Sequence, residues 1–137
     1  MIVFDTNVAS ELMKASPNGA VWSWMLKQPR DSLCTTAITI AEIHYGIERL
    51  PTGRRRTLLH EAADETFAQF AAEVLAFDEV AATTYPLVML GRERAGLPID
   101  SSDAYIASVC RAQQATLATR NTKDFVETGV ELVNPWE

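Results

Sequence analysis

Met1-Ile2-Val3-Phe4-Asp5-Thr6-Asn7 opens the chain. Three apolar residues, Ile2 to Phe4, are too few for a helix and fit a short strand buried on both faces. Asp5, Thr6 and Asn7 are residues that start helices, because their side-chain oxygens accept from orphan backbone N–H groups. The stretch therefore reads as a buried strand running straight into a helix, with an acid at the junction.

The same unit recurs downstream. Val8–Met13 continues as a short helix that Pro17 and Asn18 interrupt, and Val21, Trp22, Met25 and Leu26 recur at helical spacing until Pro29. Leu33–Thr36 is a second strand candidate. The helix after it starts at about Thr39, carries Ile40, Ile43, Ile47 and Leu50, and stops at Pro51. Thr52–Arg56 is a basic connection to a helix over Leu58–Ala72. Val74–Phe77 is a third strand candidate, and Val80–Ala95 is helical by pattern, with Pro86 as a place for a kink. After Gly96-Leu97-Pro98 come Asp100, the better cap, and a helix bearing Ile106, Ala107, Val109 and Cys110. Thr116–Thr119 and Val130–Val133 complete the strands. Short apolar strands alternating with helices predict an α/β fold with a mostly parallel central sheet flanked by helices. Ligands of such sheets bind beyond the carboxyl ends of the strands.

The 137 residues make one domain over 1–137 by size. Hydrophobic residues at 47% and charged residues at 22% exclude a disordered or fibrous chain. The formal net charge of −6 is wrong for a general nucleic-acid coat, so any such contact is local or relies on bound cations. Cys34 and Cys110 are too few for a disulfide framework and read as small buried hydrophobes. No basic leader or membrane-length apolar run precedes or interrupts the pattern, which reads as a soluble cytoplasmic protein.

Four acids each follow a different predicted strand or head the helix before one. They are Asp5, Glu42, Asp103 and Asp124. Taken singly, each has an ordinary structural explanation: Asp5 as a helix cap, Glu42 as a solvated glutamate, Asp103 as part of a capping box, Asp124 as a turn residue. Asp103 stands out because it shares a helix face with Ile106, Ala107 and Cys110 and so faces the sheet. Carboxylates gathered at one edge repel, and some pKa values there should rise. A hard cation relieves the conflict; Mg²⁺ prefers oxygen ligands, and Mn²⁺ accepts the same set. Carboxylate-held metal with open water positions suits phosphoryl chemistry.

Asp5-Thr6-Asn7 after the leading strand, Thr39-Ile40-Ala41-Glu42, Asp103-Ala104-Tyr105-Ile106-Ala107, Thr119-Arg120-Asn121-Thr122-Lys123-Asp124-Phe125 and the ending Val133-Asn134-Pro135-Trp136 occur in this order. Together they resemble the PIN-domain ribonucleases, most closely the VapC toxins including the FitB-like branch. The likeness runs nearly end to end and is least diagnostic from about Arg54 to Ala95. The resemblance implies a PIN-like fold and Mg²⁺- or Mn²⁺-dependent endonucleolytic RNA cleavage leaving a 3′-hydroxyl and a 5′-phosphate. It implies that Asp5, Glu42, Asp103 and Asp124 are the catalytic, metal-binding acids, with Asp5 and Asp103 the strongest direct ligands. Thr6, Asn7, Thr119 and Asn121 match supporting polar positions. The partners implied are a VapB-type antitoxin, a second copy of the chain in a homodimer, and DNA only through the antitoxin.

Arg120 and Lys123, beside the last acid, are candidate RNA contacts. Arg54–Arg56 read as a solvated helix entry or a phosphate or dimer contact. Trp22, Trp24 and Trp136 read as packing residues before base-stacking ones. Neither His44 nor His60 has a partner at zinc spacing. The helices Leu58–Ala72 and Val80–Ala95 are candidates for a groove that takes an antitoxin helix, although core packing explains the same pattern. Two other classes of function compete. A phosphoacceptor or phosphatase would use Asp5 as nucleophile, but position 7 is Asn where that chemistry wants a second Asp. A non-catalytic binding module leaves the four acids without a purpose.

Overall fold

The computed structural model describes residues 1–137. Its five strands are β1 (Ile2–Phe4), β2 (Leu33–Thr36), β3 (Glu73–Leu75), β4 (Thr116–Ala118) and β5 (Glu131–Val133). The helices are α1 (Thr6–Leu12), α2 (Gly19–Lys27), α3 (Ala37–Glu48), α4 (Arg54–Phe70), α5 (Glu79–Arg94) and α6 (Ser101–Ala112). Single 3₁₀ turns lie at Arg30–Ser32 and Thr122–Asp124. The strands form one sheet in the order β3-β2-β1-β4-β5, and every neighbouring pair is parallel.

Strand alternation divides the core in two. Val3, Cys34 and Leu117 face one side, where α5 and α6 bury Val88, Ile106 and Cys110 against them. Phe4, Leu33 and Ala118 face the other, covered by α1 to α4 through Val8, Val21, Ile43 and Phe70. Each fully buried aliphatic or aromatic side chain contributes about 2 kcal/mol. The sheet is buried on both faces, which is why its central strands read as continuous apolar runs.

Three expectations need adjustment. Helix α4 begins at Arg54, so Arg49–Gly53 connects it to α3, and Arg54–Arg56 are its first turn. Helix α5 runs unbroken through Pro86. Helices α4 and α5 pack on opposite faces of the sheet, so they do not build one groove between them. Instead α4 joins α1 and α2 around a concavity of about 490 Å³ lined by Leu12, Trp22 and Phe70. Trp22 and Phe70 meet edge to face at 5.4 Å, which accounts for that tryptophan as packing.

The chain order builds a topological switch. From β1 it moves outward through β2 and β3, then returns to the other side of β1 for β4 and β5. The strand ends on either side of the reversal splay apart and leave a crevice between the ends of β1 and β4.

Candidate active site

Asp5 follows β1 directly, and its backbone N–H donates to Ala118 O at 2.9 Å, which places it against the end of β4. It is 4% exposed. It also caps α1, with Oδ1 accepting from Thr6 N at 2.8 Å. The structural and functional readings of Asp5 are thus both occupied by one side chain. Its Oδ2 accepts from Thr119 Oγ1 at 2.8 Å and lies 3.4 Å from Asn7 Nδ2. Thr119 is fully buried; its hydroxyl donates to Asp5 and accepts from Asn7 Nδ2 at 3.2 Å and Asn121 N at 3.1 Å. A hydroxyl has one donor and two acceptor sites, so all its capacity is spent on orienting Asp5.

Glu42 sits in the second turn of α3 and accepts from Thr6 Oγ1 at 2.7 Å. Thr6 Oγ1 is also 3.2 Å from Thr39 Oγ1, and Thr36 caps α3 by accepting from Thr39 N at 3.1 Å. A run of threonines therefore ties the end of β2 to the start of α1 and sets where Glu42 stands. Asp103 lies in the first turn of α6, whose cap is Asp100, accepting from Asp103 N at 2.9 Å. Asp124 ends the 3₁₀ turn after β4, with its N–H donating to Asn121 O at 3.0 Å. Asp100, Asp103 and Asp124, with Pro98 and Ile99, line a cleft of about 390 Å³. The larger concavity beside Trp22 includes none of these acids, and charge rather than volume picks out the site.

The electrostatics are those of crowded acids. Burial raises the Asp103 pKa to about 7 from 3.8, assisted in order by the charges of Asp100, Asp5, Asp124 and Glu42. Burial likewise raises Asp5 to about 6, against the lowering pull of the Thr6 and Thr119 hydrogen bonds; Glu42 and Asp100 raise it further. The Asp103 carboxylate accepts no hydrogen bond, so nothing in the protein compensates its charge. A divalent cation fits this donor set. Asp5 is aimed by three donors, and Asp103 needs a positive partner. No three His, Cys, Asp or Glu side chains stand close enough to grip one ion together, so the four acids are not a closed cage. Mg²⁺ commonly binds through one or two carboxylates with water completing its shell, and Asp5 with Asp103 would supply those two.

The remaining sequence candidates sort themselves by geometry. Asn7 Oδ1 accepts from Arg120 N at 3.3 Å, holding the segment after β4. The Asn121 side chain is exposed and makes no hydrogen bond; its contribution is its backbone. Lys123 is exposed beside Asp124, whereas Arg120 lies over the Trp136 ring at 5.2 Å and engages that tryptophan. A groove of about 280 Å³ leads from Thr6 and Glu42 past Gly46 to Arg55. A Cβ at Gly46 would meet nothing within 4 Å, so no backbone approaches it and its smallness widens the groove. Arg56 is turned away, paired with Glu48. His60 Nε2 contacts the same Glu48 at 2.7 Å and stacks on His44 at 5.6 Å, away from any metal-like group. Cys34 and Cys110 are buried and free.

Two members of the site were not singled out from sequence. In the sequence Asp100 reads as the cap and as a competitor for the place of Asp103 that the Asp103-Ala104-Tyr105-Ile106-Ala107 match sets aside, yet its charge is the largest of those raising Asp103. Arg92 is 3% exposed and bonds the backbone on both flanks of the acid-lined cleft. A capping aspartate carries no signal of a second role, and an arginine within Gly91-Arg92-Glu93-Arg94 carries none of burial.

A family profile described as PIN domain matches residues 2–131. The chain is 40% identical to VapC ribonuclease Y4jK of Sinorhizobium fredii, over 100% of this chain and 99% of the relative. It is 34% identical to toxin FitB of Neisseria gonorrhoeae, over 99% of each. The solved structure of FitAB bound to an IR36 DNA fragment superposes with a TM-score of 0.90 at 34% identity, covering 100% of this chain and 96% of that one. No helix is long and apolar enough to cross a membrane.

Proposed function

The chain belongs to the PIN-domain family, and from that premise we propose that it is a metal-dependent endoribonuclease, the toxin of a VapBC-type toxin–antitoxin pair. One observation carries the reading. At the switch point of a parallel sheet, a buried and fully oriented Asp5 faces an uncompensated Asp103, and both carboxyls are held well above their ordinary pKa.

Asp5 and Asp103 would hold Mg²⁺, for which Mn²⁺ substitutes. Bound there, the ion would offset the charge of the acids and the scissile phosphate and make water a better nucleophile. The protein's own part is positional. Thr6, Asn7 and Thr119 prevent Asp5 from rotating. Glu42, fixed by Thr6, and Asp124, at the cleft wall, are placed to hold water by hydrogen bonds. Attack forms a bond from water oxygen to phosphorus as the bond to the 3′ oxygen breaks and that oxygen gains a proton. The products carry a 3′-hydroxyl and a 5′-phosphate. Arg55, which lines the groove, and Arg120 and Lys123, on the segment that leads to Asp124, would meet neighbouring phosphates. The relatives named VapC ribonuclease and toxin FitB, with the DNA-bound FitAB assembly, support the toxin role. On this reading the protein is a cytoplasmic homodimer held by a VapB-type antitoxin, through which alone it reaches DNA. A phosphatase reading lacks support, because Asp5 is locked as a hydrogen-bond acceptor and no lysine side chain bonds to the acids.

The test is cleavage of total RNA and tRNA by antitoxin-free protein with Mg²⁺, with Mn²⁺ and with EDTA. Cutting that needs metal and disappears in both Asp5→Asn and Asp103→Asn is expected. Cutting that persists in EDTA, or in either variant, refutes the site; folded protein that cuts nothing refutes the activity.

A further inference from the structure

We propose that Arg92 is a positioning residue that clamps the two segments carrying Asp103 and Asp124 at a fixed separation, and so sets the affinity of the acidic cleft for a divalent cation. The proposal rests on the nuclease reading above.

Arg92 lies in the last turn of α5. Its Nη1 donates to Val126 O at 3.0 Å and Lys123 O at 3.3 Å, and its Nη2 donates to Pro98 O at 2.6 Å. Lys123 immediately precedes Asp124. Pro98 leads into Asp100, which caps the helix bearing Asp103. The wall of the cleft consists of these two segments, and the guanidinium is the hydrogen-bonded link between them. Gly91 completes the clamp. A Cβ there would stand 2.8 Å from Glu127 O, so only glycine lets α5 lie against the 123–128 turn. Glu127 itself is held at a φ of +63°, a conformation that non-glycine residues rarely adopt. Gly96, at φ +71°, ends α5 and turns the chain toward Pro98, with Leu97 N donating to Arg92 O at 2.9 Å.

Packing does not account for this arginine. It is buried without a carboxylate partner, and its Nε has no hydrogen-bond acceptor. A buried charge neutralised only by carbonyl dipoles is costly, and an apolar residue of like volume stabilises as well or better. What the guanidinium alone does is span three carbonyls on two segments with a rigid planar fork; an ammonium cannot. The cost is therefore tied to geometry at the cleft. The outer partners of metal-binding groups typically set affinity by about 10- to 100-fold.

The experiment measures Mn²⁺ binding to RNA-free protein by electron paramagnetic resonance, alongside melting temperature and the Mn²⁺ dependence of cleavage. Arg92→Lys is expected to weaken Mn²⁺ binding at least about tenfold, and to shift the cleavage midpoint by the same factor while activity recovers at saturating Mn²⁺. Gly91→Ala displaces the same turn with Arg92 intact and is expected to weaken Mn²⁺ binding as well. Val88→Ala loosens buried α5 packing without touching the clamp; it should melt earlier and bind Mn²⁺ like the parent. Parental Mn²⁺ affinity in both Arg92→Lys and Gly91→Ala overturns the clamp, as does a loss in Val88→Ala that tracks melting temperature alone. If Asp103→Asn still loses Mn²⁺ and cleavage in that case, the nuclease reading stands without the clamp. A parent protein that binds no Mn²⁺ and cuts no RNA overturns both. Should Arg92→Lys fail to fold, Gly91→Ala decides.

Discussion

With no cation beside them, Asp103 and Asp5 are poorly tolerated charges, and this has a measurable sign. Unfolded, each ionises near 3.8; folded, Asp5 holds its proton to about 6 and Asp103 to about 7. Between pH 4 and 7 the native state thus binds more protons than the unfolded state, so the unfolding free energy falls as pH rises. The melting temperature of EDTA-treated protein should decline from pH 5 to pH 8, and added Mn²⁺ should restore it. Below pH 5 the opposite slope enters, because Glu11, whose pKa is lowered first by Lys14, stabilises only while ionised. Asp103→Asn should flatten the pH 5–8 decline and stabilise metal-free protein at pH 8 by on the order of 1 kcal/mol, a figure discounted for the half-exposed carboxylate. A decline that is unchanged in Asp103→Asn would place the unfavourable charge elsewhere. Thr119→Val addresses orientation instead. It removes the hydroxyl that donates to Asp5 Oδ2 and is expected to cost about 10- to 100-fold in cleavage, with Asp5 ionising later still; activity within twofold of the parent would leave Thr119 a packing residue.

At the level of helices and strands, α6 shows why one residue can carry two roles. Asp100 caps it through Asp103 N while its charge raises the Asp103 pKa. Asp100→Asn separates the two, since Asn caps about as well as Asp. The variant should fold with α6 intact, lower the Asp103 pKa and shrink the pH 5–8 stability decline; Asp100→Ala should instead lose about 1 kcal/mol with the cap. Equal destabilisation by both substitutions would reduce Asp100 to a structural cap. What was legible in the sequence follows from the same physics. β1 and β2 are buried on both faces, so Ile2–Phe4 and Leu33–Thr36 show as apolar or β-branched runs with the right bounds. β3 is an edge strand with Val74 49% exposed, so its pattern is weak and the expected start at Val74 is one residue late. The sequence pattern places the start of α4 too late because arginines at a helix N-terminus oppose its dipole; Arg56 is stabilised there by Glu48 across from α3. Asp5, Glu42, Asp103 and Asp124 could be picked out because each follows a strand or heads a helix at the same edge. Arg92 could not, because its bonds go to backbone carbonyls, and a carbonyl looks alike under every side chain.

For the molecule as a whole, the proposed function asks an acidic chain of net charge −6 to bind a polyanion. General attraction is excluded, so binding has to be local and conditional on the ion. The cations placed to meet phosphates are few: Arg55 in the groove beside Glu42, Arg120 over Trp136, and Lys123 beside Asp124. Each phosphate neutralised on a single strand contributes about −0.7 to the slope of log affinity against log salt. Three contacts therefore predict a slope of about −2, far shallower than for proteins that coat nucleic acid. The carboxylates oppose the RNA unless a cation intervenes, so affinity in EDTA should be lower than in Ca²⁺, a hard ion that binds oxygen ligands. Measured on a short single-stranded RNA with Asp103→Asn protein, which should bind without cutting, Lys123→Ala should reduce the slope by about 0.7. The cation-dependent gain should shrink in that background because one of the two carboxylates proposed to hold the cation is gone. A steep slope indifferent to Lys123, or RNA affinity that rises in EDTA, would mean that the strand passes over some other surface and that the acids at the switch point do not receive it.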